Sequence, residues 1–318
     1  MKAAIVSGPN QTPSYGEFDE PRPQNGSSVI RVAASALSNA TRVRAAGSHY
    51  SMRGGFPLVP GIDGVGRTKN GSRVGFLLPE APFGGMAEKT LVRDALCLPV
   101  PDHVSDVLAA AIINPGQSPI GALRTRANLQ RGETVLINGA TGTTGQIAVQ
   151  IAKHLGADRV IATGRSSEAL ARLTQLGADD TIDLTADPDA VADALAAHFA
   201  DGGVDIVLDY LSGSPTETVL AAIARSHKAA KPVRYVIAGG AAGASTNVPT
   251  SVLGSSPLVL MGAGIGAVRV PEIVQASAES LQIAGSAKLQ IEVTEVPLAE
   301  VEQAWVTDYG RSRVVFTI

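Results

Sequence analysis

The 318-residue chain carries 26 Lys and Arg against 29 Asp and Glu, a formal charge of −3, with 45% hydrophobic residues. That length holds two ordinary domains, and so even a balance, with a pI near 6.0, gives no electrostatic reason to expect nucleic acid or a membrane surface as partner. A single cysteine, Cys97, excludes a disulfide framework within the chain, residues 1–7 show no charged-then-apolar leader, so the cytoplasm is the expected compartment, and the longest apolar run, 257–268, is too short and glycine-rich to span a bilayer.

Residues 1 to about 100 read as β-rich. Segments 2–7 and 29–34 alternate as strands, 71–78 and 86–92 are further candidates, and turns at Pro60-Gly61, Lys69-Asn70-Gly71 and Gly84-Gly85 cut them apart. From about residue 106 the character changes: 107–113 and 118–127 are alanine-rich and helical. Residues 134–138 are short, apolar and β-branched, as in a parallel strand covered on both faces. Gly139, Gly142 and Gly145 then recur every third residue, and Ile147, Ala148, Ile151, Ala152 and Leu155 keep helical spacing until Gly156.

Strand, glycine turn and helix together make a phosphate cradle, because glycine lets backbone approach a pyrophosphate and a helix N-terminus offers free N–H groups. Against the fingerprint G-x-G-x-x-G the first glycine is Ala140, and a tight turn can need glycine for packing alone. A second strand, 159–163, runs into Gly164-Arg165-Ser166-Ser167. An NAD site carries an acid near position 164 for the ribose hydroxyls, yet no carboxylate stands between Val160 and Ser167. Arg165 with two hydroxyls suits a 2′-phosphate, which makes NADPH the expected cofactor; an ordinary solvated loop charge is the other reading of Arg165. Helices at 167–176, 188–199 and 215–224 alternate with strands at 181–183, 204–209 and 234–238, which predicts a doubly wound parallel sheet.

The order of short motifs along the chain resembles the medium-chain dehydrogenase/reductase superfamily, in its zinc-free quinone oxidoreductase branch. Carriers are Met1-Lys2-Ala3, Pro60-Gly61-Ile62-Asp63-Gly64-Val65-Gly66, Met86-Ala87-Glu88, Leu98 to Asp102, Gly139 to Gly145, Leu176-Gly177-Ala178-Asp179, Val204 to Asp209 and Gly310 to Val315. The resemblance implies an α/β protein in which a GroES-like β-barrel catalytic domain, 1–115 and 267–318, encloses a doubly wound Rossmann NADP-binding domain, 116–266, with substrate expected in the cleft between them. It also implies a homodimer joined through 257–264. A short-chain dehydrogenase would need Tyr-x-x-x-Lys, but four residues after Tyr15, Tyr50, Tyr210, Tyr235 and Tyr309 stand Asp19, Gly54, Ser214, Gly239 and Arg313.

Zinc members of the superfamily use Cys and His ligands. Here the first ligand falls at Ser38 or Asn39, the later histidine is Ile62, and His49, His103, His154, His198 and His227 show no ligand spacing, so no metal is expected. Without a Lewis acid, conjugated acceptors are favoured: a quinone or α,β-unsaturated carbonyl spreads the hydride's charge so that hydrogen-bond donors suffice. The expected activity is NADPH-dependent reduction of such an acceptor. A carbonyl reductase on the same fold, or an NADPH-binding sensor with little turnover, are the alternatives.

Expected cofactor contacts are Gly142, Thr143, Thr144 and Gly145 at the pyrophosphate and Thr163, Gly164, Arg165 and Ser166 at the adenosine phosphate. Tyr210 and Leu211, and Ala238, Gly239 and Gly240, follow later strands, although Gly239 and Gly240 can equally serve only a turn. The nicotinamide is expected near Asn114 and Ser118 and near Gly262 and Ala263. Candidate acceptor contacts are Ser38, Asn39 and Tyr50, the last either a proton donor or oxyanion partner or an amphipathic side chain on an exposed loop.

Overall fold

The computed structural model describes residues 1–48, 55–200, 203–226, 231–264, 266–286 and 289–318. They divide into two compact units, Met1–Gln117 with Val274–Ile318, and Ser118–Ile273.

The first unit is mainly antiparallel. Strands β1 (Lys2–Ile5) and β2 (Ser14–Glu17) form a hairpin-like pair, and β3 (Ser27–Ala36) leads to the short helix α1 (Asn39–Ala45). Strands β4 (Asp63–Arg67), β5 (Arg73–Leu77), β6 (Lys89–Arg93) and β7 (Cys97–Pro99) follow, and then helix α2 (Asp106–Ile120). The unit is completed from the far end of the sequence by most of α8 (Val270–Ser286), β14 (Val293–Pro297), α9 (Val301–Val306) and β15 (Arg313–Thr317), giving the sheet order β14-β15-β3-β4-β5-β7 with β6 on β3. Its glycine motif has a packing reason: a Cβ on Gly64 would strike Phe76 Cζ at 2.5 Å and Ala34 O at 2.7 Å, so only glycine lets β4 lie this close to its neighbours. Ala3, Ala4, Leu37, Met86, Val301, Val314 and Phe316 close one core beneath.

The second unit is a six-stranded parallel sheet in the order β10-β9-β8-β11-β12-β13. Its chain runs β8 (Thr134–Asn138), α3 (Thr143–His154), β9 (Arg159–Gly164), α4 (Ser167–Gln175), β10 (Asp180–Asp183), α5 (Pro188–Phe199), β11 (Ile206–Asp209), α6 (Ser214–Ser226), β12 (Val233–Ile237), α7 (Thr250–Ser255) and β13 (Leu258–Gly262). Each central strand is apolar on both faces. Val135, Ile137, Val160, Ala162, Ile206 and Leu208 join Ala148, Val149, Leu170 and Leu173 of α3 and α4 on one side, while Leu136, Ile161, Val207 and Tyr235 join Leu195, Phe199, Val219 and Ile223 of α5 and α6 on the other. The chain is thus a mixed α/β protein with a doubly wound, Rossmann-like sheet and a separate antiparallel one. Among the described residues no helix is long and apolar enough to cross a membrane.

Two differences from the sequence reading have physical causes. The break expected at Asn114-Pro115-Gly116 does not occur: α2 runs through it, with a Cβ on Gly116 lying only 2.6 Å from Ser280 Cβ, so packing against α8 overrides the local breakers. Just beyond the second proline, Pro119, residues Gly121–Arg126 form a π-helical turn closed by Ala127 N donating to Ala122 O at 2.8 Å. The elements after residue 238, which carry no strong periodicity, complete both units.

Candidate functional site

Parallel strands bring their C-terminal ends to one edge, and in the second unit the register aligns Asn138 with Asp209, Asp209 with Ile237 and Ile237 with Gly262. The expected cofactor residues beyond 118, Thr163 apart, therefore emerge at this edge: the Gly142–Gly145 turn after β8, Gly164 to Ser166 at β9, Tyr210 and Leu211 after β11, Ala238 to Gly240 after β12, and Gly262 and Ala263 at β13.

The glycine turn is built as an open helix start. Gly142 caps α3 without any side-chain hydrogen bond, and a Cβ on it would meet nothing within 4 Å, so the helix start is open at its cap. Gly139 adopts φ +85, a left-handed conformation, and Leu211 lies over it; a Cβ there would meet Leu211 Cδ2 at 2.6 Å. Gly145 instead serves packing, since its Cβ would strike the Ala140 Cα at 2.5 Å.

At the end of β9, Arg165 is exposed and, among the described residues, has neither an ion pair nor a hydrogen bond. Ser166 caps α4, its hydroxyl accepting from Ala169 N at 3.4 Å. The nearest acid on the neighbouring strand, Asp183, pairs in register with Gly164, but its carboxylate accepts from Thr185 N at 2.8 Å and Thr185 Oγ1 at 2.7 Å, which holds it below the usual carboxylate range. An uncapped helix start beside a free guanidinium fits a dinucleotide bearing a phosphate on its adenosine ribose.

Beneath the turn lies a buried polar network that the motif reading missed. Thr163 is fully buried; its hydroxyl donates to Asn138 Oδ1 at 2.7 Å and accepts from Gly139 N at 3.0 Å, so it supports the turn instead of facing a ligand's phosphate. Asn138 Nδ2 donates in turn to the buried carboxylate of Asp209 at 3.0 Å. Leu211 N, Ser212 N, Thr216 Oγ1 and Tyr235 Oη also donate to Asp209, at 2.7, 3.3, 2.6 and 2.5 Å. Burial and the Asp209 charge push the Tyr235 phenol well above its ordinary value, keeping it a donor. The legible signal was Asp209 itself, a carboxylate closing an otherwise apolar strand.

The buried hydroxyl of Tyr210 makes no hydrogen bond of good geometry, and burial pushes its phenol up while the neighbouring Ser118 hydroxyl pulls against that shift. Gly262 O accepts from Arg126 Nε at 2.8 Å, Ala263 N donates to Ile237 O at 2.9 Å, and Gly239 O accepts from Ser212 Oγ at 2.8 Å, so Gly239 and its neighbours form a tied turn.

In the first unit the candidates fare differently. Ser38 caps α1: its hydroxyl accepts from Thr41 N at 3.0 Å and lies 2.9 Å from Thr41 Oγ1. Asn39 is exposed in the first turn of α1, Ile62 is buried, and Tyr50 lies outside the described residues. Among the described residues no three His, Cys, Asp or Glu side chains are grouped as a metal site requires.

Asp63 is fully buried and, among the described residues, neither of its carboxylate oxygens has a hydrogen-bond partner. Burial pushes it up to about 7, while the buried Arg313 guanidinium and the Asn114 amide pull the other way. The native state therefore binds a proton that the unfolded chain, titrating near 3.8, releases first. This contribution to stability is fully present below pH 3.8 and lost as pH rises through about 7, with a slope of at most about 1.4 kcal/mol per pH unit. Asp63→Asn is expected to flatten that slope in denaturant melts between pH 5 and 8; an unchanged slope would mean Asp63 is ionised throughout.

The family model described as zinc-binding dehydrogenase matches residues 143–279. The probable NADPH-dependent quinone reductase tdiC of Emericella nidulans is 29% identical, over 99% of this chain and 99% of that protein. Quinone oxidoreductase-like protein 2 of Bos taurus is 28% identical over 84% of this chain and 78% of its own. Among solved structures, the quinone oxidoreductase of Thermus thermophilus, determined alone and with NADPH, superposes with a TM-score of 0.80 at 27% identity, each chain covered completely.

Proposed function

The chain is a quinone-oxidoreductase-like member of the medium-chain dehydrogenase/reductase superfamily, and we propose that it reduces a quinone or α,β-unsaturated carbonyl with NADPH. It is an NADPH-dependent oxidoreductase. The observation that carries the cofactor's place on this chain is the unpartnered Arg165 beside the uncapped start of α3.

The first-turn amides of Thr143, Thr144 and Gly145 hold the pyrophosphate, and Arg165 with the Ser166 hydroxyl holds the ribose phosphate. Thr163, Asn138 and Asp209 keep the turn in shape from below. Tyr210 and Ser118, and Gly262 with Ala263, line the way to the nicotinamide end. The bound nicotinamide supplies the hydride; the chain's part is to position it, to donate hydrogen bonds to the acceptor's carbonyl, and to let solvent return the proton. Zinc takes no part in this reading, because Ser38 is engaged in capping and Ile62 offers no donor atom.

The test is the initial rate of nicotinamide oxidation against ortho- and para-quinones and simple enones, with NADPH and NADH, before and after chelator. NADPH-preferring turnover that survives chelation, with the C=C of an enone reduced, is the expected result. Reduction of the C=O would move the chain to a carbonyl reductase, and tight binding without turnover to a sensor.

A second copy is the expected partner. β13 is the outer strand of its sheet, with Val259 44% exposed, and Leu253 beside it in sequence on α7 is 50% exposed. Sedimentation is expected to give twice the chain mass, and Val259→Lys to halve it; a wild-type monomer would refute the pairing.

A further inference from the structure

We infer that Thr141, in the glycine turn, enforces the choice of a 2′-phosphorylated nucleotide by keeping position 164 free of any side chain. This role presupposes the NADPH site just proposed. The turn is drawn across the end of β9 by Ala140 N, which donates to Thr163 O at 2.8 Å. The Thr141 backbone is held from the other side by Gln146, whose Nε2 donates to Thr141 O at 3.1 Å. From this fixed position the Thr141 side chain lies directly on Gly164. A Cβ on Gly164 would overlap Thr141 Cγ2 outright, with Leu170 Cδ2 at 3.1 Å and Thr141 Cβ at 3.4 Å.

The backbone is not what demands glycine here, since Gly164 is absent from the positive-φ residues and an L side chain could adopt its conformation. The demand comes from the threonine. As a β-branched residue it puts a heavy atom toward Gly164 in two of its three staggered rotamers, so rotation offers one escape only, and Leu170 closes the other side. Position 164 is where a nucleotide without the extra phosphate is gripped by a carboxylate. Arg165 thus attracts the phosphate while Thr141 denies the competing nucleotide its acid, an attractive and an exclusive element acting together.

The test combines Gly164→Ala and Gly164→Asp, each alone and with Thr141→Ala, read by thermal melting and by calorimetric titration with NADPH and NADH. Gly164→Ala alone is expected to lower the melting temperature by roughly 3–8 °C, and the double variant to recover most of that loss. Gly164→Asp alone is expected to weaken NADPH binding without improving NADH binding, whereas with Thr141→Ala it should gain NADH affinity by about tenfold or more. The assignment to Thr141 is overturned if Gly164→Ala melts with the wild type, or if Gly164→Asp alone gains NADH as strongly as the double variant. A wild-type chain that binds NADH as well as NADPH overturns the cofactor reading underneath, an outcome separate from the melting pair, which reads the contact without any nucleotide.

Discussion

Arg165→Ala is expected to weaken NADPH binding by roughly 10- to 100-fold while leaving NADH binding nearly unchanged. A hydrogen bond between charged groups contributes about 1.5–3 kcal/mol, and each 1.4 kcal/mol is tenfold in affinity. The guanidinium is exposed and has no partner among the described residues, so its removal strands no buried group there and little stability should be lost. The effect should also shrink with salt, because an exposed ion pair is screened within about 8 Å at physiological ionic strength. Arg165→Asp should go further by adding repulsion. Equal losses for both nucleotides would place Arg165 away from the ribose phosphate, and no loss for either would make it the solvated loop charge that the sequence also allowed.

Much of this site was legible because its chemistry is local in the chain. The apolar run before Gly139, the glycine spacing and the helical stripe from Ile147 are contiguous, and they predict the strand, turn and helix that form. Gly164 and Arg165 are read by counting from that turn. What was not legible depends on partners distant in sequence. The hydroxyl of Thr163 looked available until Asn138, 25 residues earlier, was seen to accept from it. Ser38, a candidate substrate contact, stands one residue before α1 and caps it, a role fixed by where the helix begins. The continuation of α2 through Pro115 goes with close packing of Gly116 on Ser280 of α8, a contact that no local rule supplies. Asp63 reads as a motif letter until burial shows a carboxylate with no hydrogen-bond partner.

Asp209→Ala is expected to destabilise the protein by about 3–5 kcal/mol and to loosen the nucleotide turn with it. The carboxylate is fully buried and accepts from Asn138, Leu211, Ser212, Thr216 and Tyr235, so removing it leaves five donors without their acceptor in a region closed to water. Two of those donors reach the cofactor turn indirectly. Asn138 accepts from Thr163, which accepts from Gly139 N, and the backbone of Leu211 is tied to Asp209 while its side chain covers Gly139. Loss of the anchor should therefore appear both as a lower denaturant midpoint and as weaker NADPH binding in whatever protein remains folded. Tyr235→Phe separates the anchor from a single bond: it removes one donor, leaves the carboxylate with four, and should reduce stability by only about 1 kcal/mol without weakening nucleotide binding. A Tyr235→Phe loss as large as that of Asp209→Ala would shift the weight from the carboxylate to the phenol. An Asp209→Ala variant that melts with the wild type would mean the five donors find other acceptors, and that the turn holds its shape through glycine packing alone.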